Sequence, residues 1–267
     1  MRQNLRSQAE RNHDCIMTIT HLDIVDSTHH YCQLLDLQQL EELALFWADF
    51  QTAGIGQRGN RWESQKGKNL TFSFILHPSF LAPAHQYRLT EALALGVVDW
   101  LQPLLPSHRV YIKWPNDIYV GHSKICGMLN EAHLGGSRFS SAIASIGLNV
   151  NQTSFPEWVP NPVSLKQLSG FDYHLEECLH SLMNCIKQRY EQLKKGGTND
   201  IHCLYLERLL QRGEACFYRY QGEVIGATIT DVNSYGHLQL FTNQGQQISC
   251  QLKEITYIFP EIECVDS

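Results

Sequence analysis

The sequence holds no Cys-x-x-Cys pair and no His-Glu-x-x-His element, although it carries nine cysteines and thirteen histidines. Those absences exclude the common zinc spacings and the dithiol redox motif. No stretch approaches the roughly 18 apolar residues of a membrane span, and the polar residues 1–15 lack the apolar heart of a signal peptide. Positive charge is not in excess. With 21 Lys and Arg against 27 Asp and Glu, the formal net charge is -6, which disfavours sequence-independent binding to nucleic acid. There is no internal repeat and no low-complexity tract. What remains is the composition of a soluble globular protein, 43% hydrophobic and 18% charged over 267 residues, long enough to bury a substantial core. The odd number of cysteines, with Cys178 and Cys185 in an apolar stripe, reads as reduced thiols in a cytoplasmic protein rather than a disulfide framework.

Along the chain, Ile16 to Val25 alternates as a strand. Asp26-Ser27-Thr28 then precedes Tyr31, Leu34 and Leu35 at helical spacing, so a helix capped by Ser or Asp is expected. Its polar N-terminus also suits an anion or polar ligand. Leu43 to Asp49 reads as a second strand, and Leu70 to His77 as a third with Phe72, Phe74 and Leu76 on one face. Pro83 to Leu105 is a long amphipathic helix closed by Pro106. A strand over His108 to Trp114 leads into hairpins turning at Gly121-His122 and Gly135-Gly136, the last returning through Phe139 to Asn151. A proline-bearing loop over 152–163 is followed by a short helix from Ser164 to Leu168, stopped by Gly170. Leu175, Cys178, Leu179, Leu182, Met183, Ile186, Tyr190 and Leu193 form the strongest helical stripe, and another helix is expected over Ile201 to Gln211. From Ala215 to Pro260 the texture changes to five short strands with turn signals at Gln221-Gly222, Ser234-Tyr235-Gly236 and Asn243-Gln244-Gly245, the pattern of a small β-barrel or sandwich.

Two stretches carry residues suited to chemistry. Gly54-Ile55-Gly56-Gln57-Arg58-Gly59 has the letters G-x-G-x-x-G, but a dinucleotide turn must enter a helix. Asn60 to Asn69 is polar, glycine-bearing and aperiodic. The stretch therefore reads as a long flexible loop between strands whose backbone N–H groups would fold over phosphates. The second is Lys113-Trp114-Pro115-Asn116-Asp117 with Lys124-Ile125-Cys126-Gly127-Met128-Leu129-Asn130-Glu131, a strand–turn–strand unit with two lysines and an aspartate. Taken alone, such a hairpin is usually solvated charge. Gly127, which lets something approach the second strand, and Asn149 and Asn151, where a later strand leaves the sheet, offer the alternative of a phosphate or metal-bound-water site.

Together these blocks, in this order and spacing, resemble the biotin–protein ligase family: Asp26-Ser27-Thr28, Gln51 with Gly54-x-Gly56-x-x-Gly59-x-x-Trp62, Lys113 to Asp117, Lys124-x-x-Gly127-x-Leu129-x-Glu131, and Gly147-Leu148-Asn149. The resemblance spans residues 16 to 260, and the Lys-Trp-Pro-Asn-Asp block followed by Lys-x-x-Gly is its most specific part. It implies an enzyme that uses ATP and Mg²⁺ to convert biotin to biotinoyl-AMP, then transfers it to a lysine of a biotin carboxyl carrier protein. The implied fold is a mixed α/β (α+β) catalytic domain over 16–212, similar to class II aminoacyl-tRNA synthetases, with a small C-terminal SH3-like barrel over 213–267. Lys124 and Asp117 would be catalytic. Ser27, Thr28, His29, Gln51, Gly54, Ile55, Gly56, Gln57, Trp62, Lys124, Gly127 and Gly147 would bind biotin. Arg58, Arg61, Lys113, Asn116, Asp117 and Asn149 would bind ATP or the adenylate, with Asp117 and Asn149 holding Mg²⁺.

Two departures from the family pattern stand out. Relatives often carry basic residues at the positions of Ile55 and Gln57, which implies a weaker hold on the adenylate here unless Arg58 or Arg61 supplies the charge. The asparagine common after Ser-Thr is His29. The resemblance also bears on alternatives: a lipoate–protein ligase shares the fold and adenylate chemistry, and a non-catalytic biotin- or nucleotide-binding module is the reading from a different class. Both lysines and Asp117 argue against decay of the site. The polar tail of residues 1–15 is too short for a helix-turn-helix, so no specific DNA binding is expected. An exposed strand in the main sheet would allow a homodimer.

Overall fold

The computed structural model describes residues 18–259, apart from the Arg58 side chain. The expected tail over 1–15, the start of the first strand at Ile16 and the end of the barrel at Pro260 lie outside the described residues. The first part of the chain runs β1 (Ile19–Val25), α1 (Thr28–Gln33), β2 (Leu45–Gln51), β3 (Leu70–Leu76), α2 (Tyr87–Leu104), β4 (Val110–Lys113), β5 (Asp117–Val120), β6 (Ser123–Gly135) and β7 (Arg138–Leu148). Three helices follow: α3 (Leu165–Ser169), α4 (Leu175–Lys194) and α5 (Thr198–Arg208). The remainder is all strand, with β8 (Ala215–Tyr220), β9 (Glu223–Val232), β10 (Leu238–Thr242), β11 (Gln247–Cys250) and β12 (Ile255–Tyr257).

The first seven strands form one mixed sheet in the order β1-β2-β3-β7-β6-β5-β4, parallel only between β1 and β2. The last five form an antiparallel sheet in the order β11-β10-β9-β8-β12. The fold is thus the expected mixed α/β sheet with a C-terminal antiparallel unit. Element bounds differ from the periodicity by a few residues at most; α5, for example, starts at Thr198 rather than Ile201.

Both faces of the large sheet are covered. On one, α2 and α4 bury Leu93, Leu101, Leu182 and Ile186 against Phe72, Phe74 and Leu76. On the other, Cys32 of α1 and Leu37 close over Phe46, Ile75 and Ile143. This explains why β3 is buried at every position: its even-numbered residues serve one layer and its odd-numbered residues the other. Thr71 and Ser73, on the α1 side, are buried polar groups with partners, and Ser73 bonds Thr28 at the polar end of the site.

The α1 N-terminus differs from the expected cap. Ser27 sits at the capping position but makes no side-chain cap bond. The Thr28 N–H instead donates to Gln51 Oε1 at 2.7 Å, and the Asp26 carboxylate accepts from the Ser27 N–H. A glutamine from β2 does the capping, which leaves the Ser27 hydroxyl out of that role.

The two largest helices approach closely at Gly96 of α2. A Cβ there would stand 2.6 Å from the Ile186 Cα of α4. Gly96→Ala gains about 1 kcal/mol of helix propensity but forces backbone apart at a cost of roughly 1–3 kcal/mol. We expect net destabilisation, read as a lower urea midpoint with an unchanged slope.

Candidate active site

A cavity of about 540 Å³ opens beside α1, between the large sheet and the C-terminal strands. Its floor follows from strand register. Lys113 pairs with Asp117, Asp117 with Gly127, and Gly127 with Gly147, so four residues stand in one row across β4, β5, β6 and β7. Two of them have no side chain, which leaves bare backbone in mid-sheet. Trp62 fills that space. A Cβ on Gly127 would lie 3.1 Å from its ring, and one on Gly147 would overlap the indole Cε2.

Lys124 belongs to the same face because of an irregularity. It is three residues from Gly127, a spacing that in a regular strand points to opposite faces. The β5–β6 ladder shifts by one residue between Ile118 and Tyr119, placing Lys124 opposite Tyr119 while Asp117 stays opposite Gly127. This bulge turns Lys124 towards the site, where its Nζ lies 2.7 Å from Asp117 Oδ1 and 5.6 Å from the centre of the Trp62 ring.

One end of the cavity is polar. The Thr28 backbone N–H and hydroxyl both donate to Gln51 Oε1, at 2.7 and 3.1 Å. Ser73 Oγ donates to Thr28 Oγ1 and contacts Ser145 Oγ at 2.7 Å. His29, on α1, lies between Ser145 Oγ at 2.8 Å and Glu131 Oε2 at 2.9 Å.

The other end is charged and aromatic. Lys113 Nζ sits 5.3 Å from the Tyr119 ring and 4.8 Å from the Tyr257 ring. Burial pushes its ammonium below the ordinary lysine range; Lys124 adds to that and Asp117 opposes it. Cation–π contact is what keeps a partly desolvated ammonium tolerable. The Tyr257 hydroxyl and Trp62 Nε1 are buried without partners.

The glycine loop contains a short regular element. Gln57–Gly59 form a single 3-10 turn. The N–H groups of Gly56, Asn60 and Trp62 donate within the loop, to Asn60, Gln57 and Gly54 oxygens. Ile55 pairs with Arg61 as an isolated bridge. Those three donors are therefore spent internally and are not the ones that would fold over phosphates. Arg61 Nη2 pairs with Glu63 Oε2 at 3.0 Å, and its guanidinium lies 5.7 Å from the Trp158 ring, so its charge is already shared at the rim.

The cavity brings together Ser27, Thr28, His29, Gln51, Ile55, Gly56, Gln57, Arg61, Trp62, Lys113, Asn116, Asp117, Lys124, Gly127 and Gly147. The Gly54 Cβ position faces the Trp62 carbonyl and Gln51 Nε2, just behind the lining. Asn116 lines the site, but its Nδ2 donates to the Met128 carbonyl and so holds the turn. Asn149 is not among the lining residues. Its Nδ2 donates to Val163 O at 3.0 Å, and its Oδ1 is buried without a partner. The side chain of Arg58 lies outside the described residues.

Sequence reasoning missed Ser73, Ser145, Tyr119 and the C-terminal contributors Lys253, Thr256 and Tyr257. Ser145 had a signal, two residues before Gly147 on the same strand face. The C-terminal residues had none.

Residues 22–151 match the model of the biotin/lipoate A/B protein ligase family. The chain is 30% identical over 227 residues to the bifunctional ligase/repressor BirA of Bacillus spizizenii, covering 84% of this chain and 69% of that protein. It is 28% identical over 205 residues to the biotin–[acetyl-CoA-carboxylase] ligase of Paracoccus denitrificans, covering 74% of this chain and 84% of that one. In structure it is similar to the Aquifex aeolicus biotin protein ligase in complex with biotin and ATP, with a TM-score of 0.74 and 25% identity, over 90% of this chain and 97% of that one.

A Gly147→Ala variant tests the bare floor. The added methyl must push the Trp62 indole off the sheet, at a cost of roughly 1–3 kcal/mol. We expect altered tryptophan emission in that variant, and no such change when the same substitution is made in a Trp62→Phe background.

Proposed function

This chain belongs to the biotin/lipoate A/B protein ligase family, and on that premise we propose that it attaches biotin to a lysine of a carrier protein with ATP as the activating substrate. The observation that carries the reading is the Lys124 ammonium, 2.7 Å from Asp117 on the glycine row, in a cavity that also holds a hydrogen-bonding end and the Lys113 end. In the first step a biotin carboxylate oxygen bonds to the α-phosphorus of ATP and the bond to pyrophosphate breaks. Two anions must meet, so a fixed cation beside them lowers the barrier more than it stabilises the separated reactants. Lys124 supplies that cation. Asp117 fixes its position.

In the second step the amine of the acceptor lysine attacks the acyl carbon and AMP leaves with the electron pair of the broken bond. The amine must shed a proton, and the Asp117 carboxylate is the acidic group on the floor able to take it. Lys113, with Tyr119 and Tyr257 around it, faces the nucleotide. Trp62 covers the apolar body of biotin, and the loop from Gly54 to Asn60 shields the adenylate from water. In this reading residues 16–212 are the catalytic unit and 213–267 the SH3-like one, and the acceptor is a biotin carboxyl carrier protein. Among the described strands β1 ends the sheet on one side, where a second copy would pair.

Mg²⁺ would be held by Asp117, which lines the cavity, and it would neutralise phosphate charge when bound; Asn149, with its Oδ1 buried away from the lining, does not fit that role. A single protein carboxylate suits a cation that arrives on phosphates rather than one held in a protein cage.

The experiment is ATP–pyrophosphate exchange with biotin, lipoate and octanoate in parallel, followed by labelled-biotin transfer to a carrier domain with and without ATP. Exchange with biotin alone and ATP-dependent transfer are expected; exchange driven by lipoate or octanoate would replace this reading with a lipoate ligase. Lys124→Ala should reduce exchange on the order of 10²–10³-fold.

The loop makes a second prediction. Gln57 lines the cavity and Arg61 is engaged with Glu63 and Trp158, so among the described side chains the loop offers the adenylate no uncommitted cation. Gln57→Arg should slow release of free biotinoyl-AMP several-fold, as measured by trapping the released adenylate; an unchanged rate would rule out missing charge as the cause.

A further inference from the structure

The polar end of the cavity is one proton short. Thr28, Ser73 and Ser145 each have a single hydroxyl proton to donate. Four contacts need one: Thr28 to Gln51 Oε1 at 3.1 Å, Ser73 to Thr28 at 2.8 Å, Ser73 with Ser145 at 2.7 Å, and Ser145 with His29 Nδ1 at 2.8 Å. The direction is anchored at Gln51, where the Thr28 backbone N–H, a donor only, meets Oε1 at 2.7 Å. The Thr28 proton goes to Gln51, the Ser73 proton to Thr28, and the Ser145 proton to Ser73. The fourth must come from His29 Nδ1. On the far side of the ring, Nε2 lies 2.9 Å from the Glu131 carboxylate, which accepts only. In that arrangement both ring nitrogens are donors.

The surroundings supply a counter-charge: the Glu131 carboxylate of β6 lies 2.9 Å from the buried His29 ring. Burial pushes the Glu131 carboxyl up, but hydrogen bonds from His29 and Gln33 and the charges of His29 and His133 outweigh it and hold the group below the usual carboxylate range. Gln33 of α1 donates to Glu131 Oε2 at 2.7 Å, and His133 lies 3.4 Å from its other oxygen. Ser145 of β7 faces the remaining ring nitrogen. Asp26 and His30, at the start of α1, are paired with each other.

We propose that His29, as an imidazolium, is a specificity-determining positioning residue: it drives every hydroxyl proton in the chain towards Gln51. Thr28 Oγ1 and Ser145 Oγ then meet a ligand with lone pairs only, while Gln51 offers its Nε2 amide. That pattern selects a head group with N–H donors beside a carbonyl, the chemistry of a cyclic urea, and rejects a fatty-acyl or dithiolane end that has neither. The inference rests on the biotin reading above and adds the residue that polarises its pocket. If His29 loses the Nδ1 proton, one of the four contacts must close with two lone pairs facing each other.

The test is calorimetric titration of the full-length protein with biotin from mildly acidic to alkaline pH, together with ¹⁵N NMR of the ligand-free histidine ring. Wild type should bind roughly tenfold more weakly once His29 is neutral, the scale of one charge-assisted hydrogen bond. His29→Asn should be flat over the same range, and Glu131→Gln should move the loss to lower pH. NMR should show both His29 nitrogens protonated at neutral pH in wild type. A pH-independent wild-type affinity, or a singly protonated ring at neutral pH, overturns the proposal. No biotin binding at any pH, with both nitrogens protonated, would instead overturn the biotin reading and leave the imidazolium in place.

Discussion

The chemistry of this site depends on a one-residue shift in the β5–β6 ladder. Alternation along a strand is strict, so residues three apart diverge unless the backbone gains a residue. The shift at Ile118/Tyr119 lets Lys124 share a face with Asp117 and Gly127, while Ile125 and Cys126 remain buried. Spacing and bulge are therefore one device: a lysine three residues before a glycine works only where the ladder slips between them. The same register row supplies the rest. Gly127 and Gly147 leave the backbone open, and Trp62 is the side chain that takes the vacated space.

From that row the cavity separates two kinds of recognition. At the α1 end every contact is a hydrogen bond among neutral groups terminated by one ion pair, His29 with Glu131. Such a network fixes donor and acceptor directions, because a reversed proton leaves a buried group unsatisfied. At the β4–β5 end, recognition is by charge. Lys124 lies close enough to Lys113 to disfavour its proton, Asp117 opposes that effect, and Asp117 also pairs with Lys124. A substrate with a neutral polar head and an anionic tail fits this polarity in one orientation only.

Much of the architecture was legible in the sequence. The apolar stripe of α4, the buried run of β3 and the turn residues of the C-terminal strands are local signals, and each marks an element within a few residues of its bounds. The motif blocks likewise name most of the residues that line the cavity. What was not legible depends on tertiary partners. A bulge leaves no mark in periodicity. Gln51 caps α1 from a different strand, overriding the local preference for Ser27. The loop after Gly54 reads as aperiodic because glycine permits many conformations, so its short 3-10 turn and internal backbone bonds leave no mark in the pattern. His29 reads as a plain departure from a family pattern until Ser145 and Glu131, more than a hundred residues on, meet its two nitrogens.

The C-terminal sheet belongs to the site by the same reasoning. Trp114, in the most specific motif of the chain, donates from Nε1 to Gly236 O at 2.9 Å. The Tyr87 hydroxyl donates to the Pro115 carbonyl in the next residue of that motif and lies 2.8 Å from the Tyr205 hydroxyl of α5. His202 of α5 links Glu91 of α2 to Asp231 of β9, each at 3.0 Å. These bonds tie α2, α5, the motif and the second sheet into one packed junction, and Tyr257 of β12 then stands over Lys113. A lysine placed on the large sheet alone would be solvated and mobile. With an aromatic wall contributed by the smaller sheet it is desolvated and fixed, which is the condition under which a single positive charge acts strongly on a phosphate.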